Sequence, residues 1–231
     1  MMRHLGRARY LLGSERETLR AARALRRAAA AATTTREAVD AAFDTQVGVT
    51  AVKPTQVPEE IAEFLERVRT EQPRRVLEIG TARGGTLYLL SWASAPTARL
   101  LSIDIGEFGR LRRRLYRSFG RRRQRIDVLC ADSQLEETRA AVEGWFGGEP
   151  IDLLFIDGDH AYESVKRDFE LYTPLVRPGG IVALHDIVEG PAGTVGEVPR
   201  FWREARSSLH GAVEVVHSWE QGGYGIGFGF R

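Results

Sequence analysis

The chain has 231 residues, 43% of them hydrophobic and 28% charged, with a formal net charge of +2. That length can bury a sizeable core, so one domain with an added arm is expected, and the composition excludes disordered and fibrous classes. A single cysteine, Cys130, excludes an intrachain disulfide, no apolar run approaches the roughly 18–20 residues of a membrane span, and no secretory apolar segment is present; a cytoplasmic, reducing location is the expectation.

Met1 to about Asp44 is rich in Ala and Arg and lacks Pro. Leu11, Leu12, Leu19 and Leu25, padded by alanines, predict one or two amphipathic helices. Scarce serine and the acids Glu15, Glu17 and Glu37 argue against a transit peptide and for an arm that packs on the domain or on a partner subunit. Val47 to Val57 reads as an extended connector, so residues 1–55 are assigned to arm and connector and 56–231 to the main domain. Pro58 opens a helix to about Thr70, with Ile61, Phe64, Leu65 and Val68 on one face.

From Arg75 strands and helices alternate. Strands are predicted at 75–79, 100–105, 125–130, 151–156 and 181–184, and helices at 86–94, 108–119, 135–146, 162–175 and near 199–209. Arg177-Pro-Gly-Gly180 reads as a turn, and 213–216 with 224–230 as a closing antiparallel pair. Near-continuous apolar strands alternating with helices define an α/β fold with a parallel sheet covered on both faces.

The stretch Arg75-Val-Leu-Glu-Ile-Gly-Thr-Ala-Arg-Gly-Gly85 joins a strand to a helix through a glycine turn, the form of a nucleotide-binding unit. Gly80 permits a tight turn, while Gly84 and Gly85 bring the helix N-terminus towards a ligand. Glu78, inside the strand, would repel a pyrophosphate and attract a cationic amino acid or sulfonium, which favours S-adenosyl-L-methionine (SAM) over NAD. Thr81 completes the turn. Ligands of an open parallel sheet bind at the carboxyl ends of its strands, where Asp104, Asp132, Asp157 and Asp186 also fall. Asp104 stands where an acid can hold a ribose hydroxyl pair, and Asp132 or Ser133 would meet the adenine.

Asp157 and Asp186 end successive strands expected about 4.8 Å apart, close enough to share a divalent cation such as Mg. His185 adds an imidazole that would suit Mn, Fe or Zn, or else points into the sheet as a core residue. His160, three residues past Asp157, is the candidate general base, with a cap of the next helix as the bland alternative. Asp159 reads as that cap, and Glu189 as a weak further ligand. The acid-free arginine cluster from Arg110 to Arg125, which includes Arg112, Arg113, Arg114, Arg117, Arg121, Arg122 and Arg123, reads first as a solvated face and second as a phosphate footprint.

Residues 56–230 resemble the SAM-dependent methyltransferases of the seven-stranded kind. They are most similar to the branch that includes cephalosporin hydroxylase-type proteins and macrolide-sugar O-methyltransferases, and more distantly to catechol O-methyltransferases. The resemblance rests on Val76-Leu-Glu-Ile-Gly-Thr-Ala-Arg-Gly-Gly85, Phe155-Ile-Asp-Gly-Asp-His160 with Tyr162-Glu163 and Asp168, Arg177-Pro-Gly-Gly180, and His185-Asp186. It implies a Rossmann-like, three-layer α/β/α domain whose seven-stranded, mostly parallel sheet has a reversed last strand. It also implies SAM contacts at Glu78, Gly80, Asp104 and Asp132, metal ligands at Asp157 and Asp186, and a base at His160. His185 stands where the sugar enzymes tend to have an acid, and Ile187 where catechol methyltransferases carry a polar ligand.

The leading expectation is a SAM-dependent, divalent-metal-assisted O-methyltransferase acting on a small-molecule hydroxyl, on a sugar or natural-product intermediate. The loop from Ile187 to Val198 would be a lid over the acceptor. The arm suggests a homo-oligomer, and nucleic acid is not the expected partner. The alternatives are an RNA methyltransferase using the Arg110–Arg125 cluster and a non-catalytic SAM-binding or assembly protein.

Overall fold

A computed structural model describes residues 15–48, 50–106, 108–121 and 123–231. Leu11, Leu12 and Arg122 lie outside the described residues. The elements in chain order are α1 (Glu15–Ala31), α2 (Thr35–Asp44), β1 (Gln46–Val47), β2 (Thr50–Ala51), α3 (Pro58–Glu71), β3 (Arg75–Ile79), α4 (Gly85–Ala93), β4 (Arg99–Asp104) and α5 (Arg110–Arg117). They continue with β5 (Arg125–Cys130), α6 (Glu136–Phe146), β6 (Ile151–Ile156), α7 (Tyr162–Tyr172), β7 (Val176–His185), α8 (Val198–Ala205), β8 (His210–Val215) and β9 (Ile226–Phe230).

Seven strands form one sheet in the order β5-β4-β3-β6-β7-β9-β8. The pairs from β5 through β7 are parallel, and β9 runs antiparallel to both β7 and β8. Alternate strand residues feed opposite cores, as the two-residue period of a strand requires. Val76, Leu100, Leu153, Phe155, Ile181 and Ala183 pack with α1–α5 through Leu25, Phe64, Tyr88, Trp92 and Phe119. Their neighbours Leu77, Leu101, Leu154, Ile156, Val182 and Leu184 pack on the other face with Phe146, Tyr172, Phe201 and Trp202. Both faces of the sheet are covered, and the strands are therefore apolar on both faces. The one acid inside β6, Asp152, accepts the backbone N–H groups of Arg74 and Arg75 and the Arg177 side chain.

The order of strand addition reverses between β3 and β6, since β4 and β5 build one way from β3 and β6 and β7 the other. The carboxyl ends of these two neighbours are thus the fold's natural ligand position. Helices α1 and α2 lie on the first core: Leu25, Ala29, Ala38, Val39 and Ala42 are all buried there. A capping box between Thr34 and Glu37 starts α2.

Several boundaries differ from the sequence pattern. The extended connector contains a two-rung hairpin, β1 with β2. The second strand stops at Asp104, because its carboxylate accepts the Gly106 N–H and turns the chain out, leaving Ile105 exposed. Helix α5 is shorter than expected, with Gly109 and Ser118 as its caps. Strand β7 begins at Val176, ahead of the Pro-Gly-Gly stretch, through a register shift against β6. Tyr224 and Gly225 have positive φ, so β9 starts only at Ile226.

Candidate active site

The glycine turn after β3 is fixed by backbone contacts. A side chain at Gly80, whose φ is 98°, would run into the carbonyl oxygen of Asp157 across the β3–β6 switch. Gly84 (φ 85°) lies against the Tyr116 ring, and Gly85 lies under the Val52 carbonyl and Pro54. These glycines therefore admit neighbouring chain to the turn, and α4 begins immediately after it. Asp104 accepts the Ala82 N–H at 2.9 Å and the Gly106 N–H at 2.7 Å, which clamps the turn to the end of β4. Tyr116 donates its hydroxyl to the Ala82 carbonyl at 2.8 Å and accepts from Arg112 at 2.9 Å.

Glu78 is fully buried. A relay runs from Thr81 to Ser102, 2.6 Å between the hydroxyls, and from Ser102 to one Glu78 oxygen. The other carboxyl oxygen has no partner. Burial pushes this group up to about 8, opposed by the Ser102 hydrogen bond and reinforced by Asp157 and Asp104. An orphaned buried carboxyl beside a helix start is a site prepared for a cationic or hydrogen-bonding ligand group, and it fits a SAM-type ligand. Asp132 and Ser133 follow β5 at the same edge. Asp132 accepts the Gln134 N–H at 2.9 Å, and the Ser133 carbonyl receives the Tyr172 hydroxyl at 2.7 Å.

Asp157 and Asp186 stand at the ends of the adjacent strands β6 and β7. Asp157, His160 and Asp186 each offer a ligand atom, and these atoms lie within 4.8 Å of one another. His160 Nδ1 bonds the Thr194 carbonyl, which can only accept, so Nδ1 carries hydrogen there. Its Nε2 faces Asp186 at 3.4 Å and Asp157 at 3.8 Å. The interaction with Asp157, opposed by burial and aided by Asp186, raises the His160 pKa. His185 is buried behind the carboxylates, with Nδ1 3.1 Å from Asp157 and 3.3 Å from Asp186. Burial disfavours charge on His185, but Asp157 and Asp186 outweigh it and raise the pKa. Asp157 is held ionised by the two imidazoles against the same burial penalty. The two carboxylates are donors suited to a divalent cation such as Mg or Mn, and the His160 Nε2 beside them can serve either as a third donor or as a base, not both.

The remaining predicted residues fall elsewhere. Asp159 accepts from Ala161 N–H and, at 2.7 Å, from the Ser164 hydroxyl at the start of α7. Glu189 pairs with Arg203 at 2.6 Å on the surface. The 187–198 loop is stitched to His160, since Thr194 bonds its ring and the Glu197 N–H donates to its carbonyl at 2.8 Å. Much of the arginine cluster is used internally: Arg112 meets Tyr116, Arg113 meets Phe108 and Cys130, Arg117 meets Asp127, and Arg121 meets Trp92. Sequence reasoning missed Gln56, whose amide donates to Asp157 at 2.7 Å, because no motif marks it. It also missed the Tyr224 N–H, 3.2 Å from Asp186.

Residues 77–187 match the family model described as a methyltransferase domain. The match covers just under half of the chain, and the sheet order with its reversed strand is that of the Rossmann-like α/β methyltransferase fold. Solved structures share the fold. An O-methyltransferase from Bacillus cereus, in complex with SAH, is 21% identical over 77% of this chain and 84% of its own, with a TM-score of 0.55. The O-methyltransferase TomG of Streptomyces achromogenes, involved in tomaymycin synthesis and in complex with SAM, is 20% identical over 100% and 99%, with a TM-score of 0.54. The MycE methyltransferase of the mycinamycin pathway, in complex with Mg, SAH and mycinamycin VI, is 19% identical over 73% of this chain and 48% of its own, with a TM-score of 0.52. A segment of 36 residues is 53% identical to an uncharacterized protein of Acanthamoeba polyphaga mimivirus, a match spanning 16% of that protein's length. Among the described residues no helix is long and apolar enough to cross a membrane.

Proposed function

We propose that the protein transfers the methyl group of SAM to a hydroxyl of a small molecule, with a divalent cation at Asp157 and Asp186. The observation that carries this reading is the contact between the two halves of the site. The turn at Gly80 packs directly on the Asp157 backbone, so the cofactor turn and the Asp157–His160–Asp186 cluster share one wall at the switch point.

In this reading Glu78, the 80–85 turn and Asp104 hold SAM, with Asp132 and Ser133 at the adenine end. When bound, SAM supplies the methyl electrophile and the cation supplies Lewis acidity that lowers the pKa of an acceptor hydroxyl. Asp157 and Asp186 orient the acceptor oxygen towards the cofactor side. His160 takes the released proton at Nε2 while Nδ1–H stays on Thr194, which fixes the ring. His185, buried and cationic, offsets part of the paired negative charge. The 187–198 loop excludes water from the acceptor side. Positioning and electrostatics supply most of the acceleration. A sugar or natural-product hydroxyl is the acceptor class that the Mg- and mycinamycin-bound neighbour suggests.

Calorimetric titration with SAM, first alone and then with Mn, tests the reading. Wild type should bind both, and Asp157→Asn should keep SAM affinity while losing Mn binding and metal-dependent turnover. Equal loss of both ligands in the variant would refute the role given to Asp157, and SAM binding indifferent to metal in wild type would remove the cation from the mechanism.

A further inference from the structure

Two buried polar side chains lie four residues apart at the entry to α3, and both lead to the carboxylates of the proposed cation site. Gln56 is only 3% exposed. Its amide nitrogen donates to Asp157 Oδ2 at 2.7 Å, and its amide oxygen accepts the Thr86 hydroxyl at 2.9 Å, near the start of α4. Both halves of the amide are thus committed, and one Asp157 oxygen is turned away from the cluster while Oδ1 faces the imidazoles.

Glu60 is 1% exposed, and its carboxylate is satisfied entirely by the segment joining β8 to β9. Oε1 accepts the His217 N–H at 2.9 Å and the Gln221 amide at 2.7 Å, and Oε2 accepts the Gly225 N–H at 2.9 Å. The neighbouring Tyr224 N–H donates to Asp186 at 3.2 Å, and the Tyr224 carbonyl accepts Val188 N–H at 2.9 Å. Asp186 and Tyr224 are both non-glycine residues in the left-handed region, with φ of 62° and 65°. Such a pair persists only where its surroundings hold it, and the buried carboxylate of Glu60 bonds the N–H of Gly225, the residue next to Tyr224. Three donors from one loop on one carboxylate make charge-assisted bonds, which are stronger than neutral ones.

We propose that Gln56 and Glu60 are positioning residues for the divalent-cation site: Gln56 orients Asp157 directly, and Glu60 orients Asp186 through the 217–225 loop. This inference rests on the cation reading above.

The test measures Mn affinity by electron paramagnetic resonance and SAH affinity by calorimetry, with circular dichroism as the check of folding, in wild type, Gln56→Leu and Glu60→Gln. Loss of a group that orients a metal ligand weakens metal binding about ten- to a hundredfold. That loss is expected in each variant, with SAH affinity within about threefold of wild type, because neither residue bonds a group of the 80–85 turn itself, Gln56 meeting only the adjacent Thr86 hydroxyl. Mn affinity within twofold of wild type in a folded variant overturns the role of that residue. Parallel losses of Mn and SAH reduce it to general scaffolding and overturn it equally. If wild type binds SAH but no Mn, the cation reading itself fails and takes this inference with it, an outcome already visible before any variant is made. Should one variant not fold, the other decides its own half.

Discussion

Replacing Asp168 by asparagine should flatten the pH dependence of stability. Asp168 lies on α7, 1% exposed, and its carboxyl oxygens lack hydrogen bonds of normal geometry. Burial, with Asp132 and Asp159 adding repulsion and Ser133 working the other way, pushes it from 3.8 up to about 7. Between those values the folded protein holds a proton that the unfolded chain has released. Stability therefore falls as pH rises, by about 1.4 kcal/mol per unit, and levels off above about 7. The full interval of roughly three units corresponds to about 4 kcal/mol. Asparagine is close to the neutral acid in shape, so the variant should converge on wild type only near pH 4, exceeding it by about 1.5 kcal/mol at pH 5 and by about 4 kcal/mol at pH 8. Urea unfolding at pH 5, 6, 7 and 8 measures both curves. Glu78, pushed up in the same direction to about 8, leaves a residual slope in the variant. Parallel curves for wild type and variant would refute the argument that Asp168 is a buried, neutral carboxyl.

The turn yields two further expectations. Gly80→Ala combines a φ of 98° with a collision against the Asp157 carbonyl, whereas Gly147, at φ 73°, has nothing within 4 Å of an added β-carbon. The first substitution should cost more than about 3 kcal/mol and the second about 1 kcal/mol; equal melting temperatures would show that the turn yields. Tyr116→Phe removes the donor to Ala82 and should cost about 1–3 kcal/mol. It should also weaken SAH binding in calorimetry, because Ala82, at φ 44°, is left with only its N–H bond to Asp104.

The alternation from Arg75 onward made the sheet legible: near-continuous apolar strands separated by amphipathic helices allow few arrangements, while the reversed strand was legible through the family resemblance, the Gly-Ile-Gly-Phe-Gly-Phe alternation marking only a strand, one that is buried on both faces. The acids at strand ends were legible for the same reason, because period and strand length place them on one edge. What could not be read was anything set by contact between distant segments. Gln56 and Asp157 are 101 residues apart, and Glu60 and Gly225 are 165 apart. Neither pairing leaves a local pattern. Gly80 was legible as a turn glycine, but the atom that requires it, the Asp157 carbonyl, belongs to another strand. The arginine cluster looked like a solvated face by composition. Several of its members instead reach inward to carbonyls and rings, where long guanidinium side chains bury their stems.

The shared wall between Gly80 and Asp157 also bears on how such a protein can diversify. Because a backbone carbonyl fills the space at Gly80, an insertion or a bulky substitution in the 156–158 segment would disturb the cofactor turn at once. Drift in acceptor preference is thereby channelled away from the sheet edge and into segments that do not touch that turn. On the function proposed above, those are the exposed positions Pro191, Ala192 and Gly193 of the 187–198 loop, where substitutions leave both the turn and the Asp157–His160–Asp186 cluster untouched.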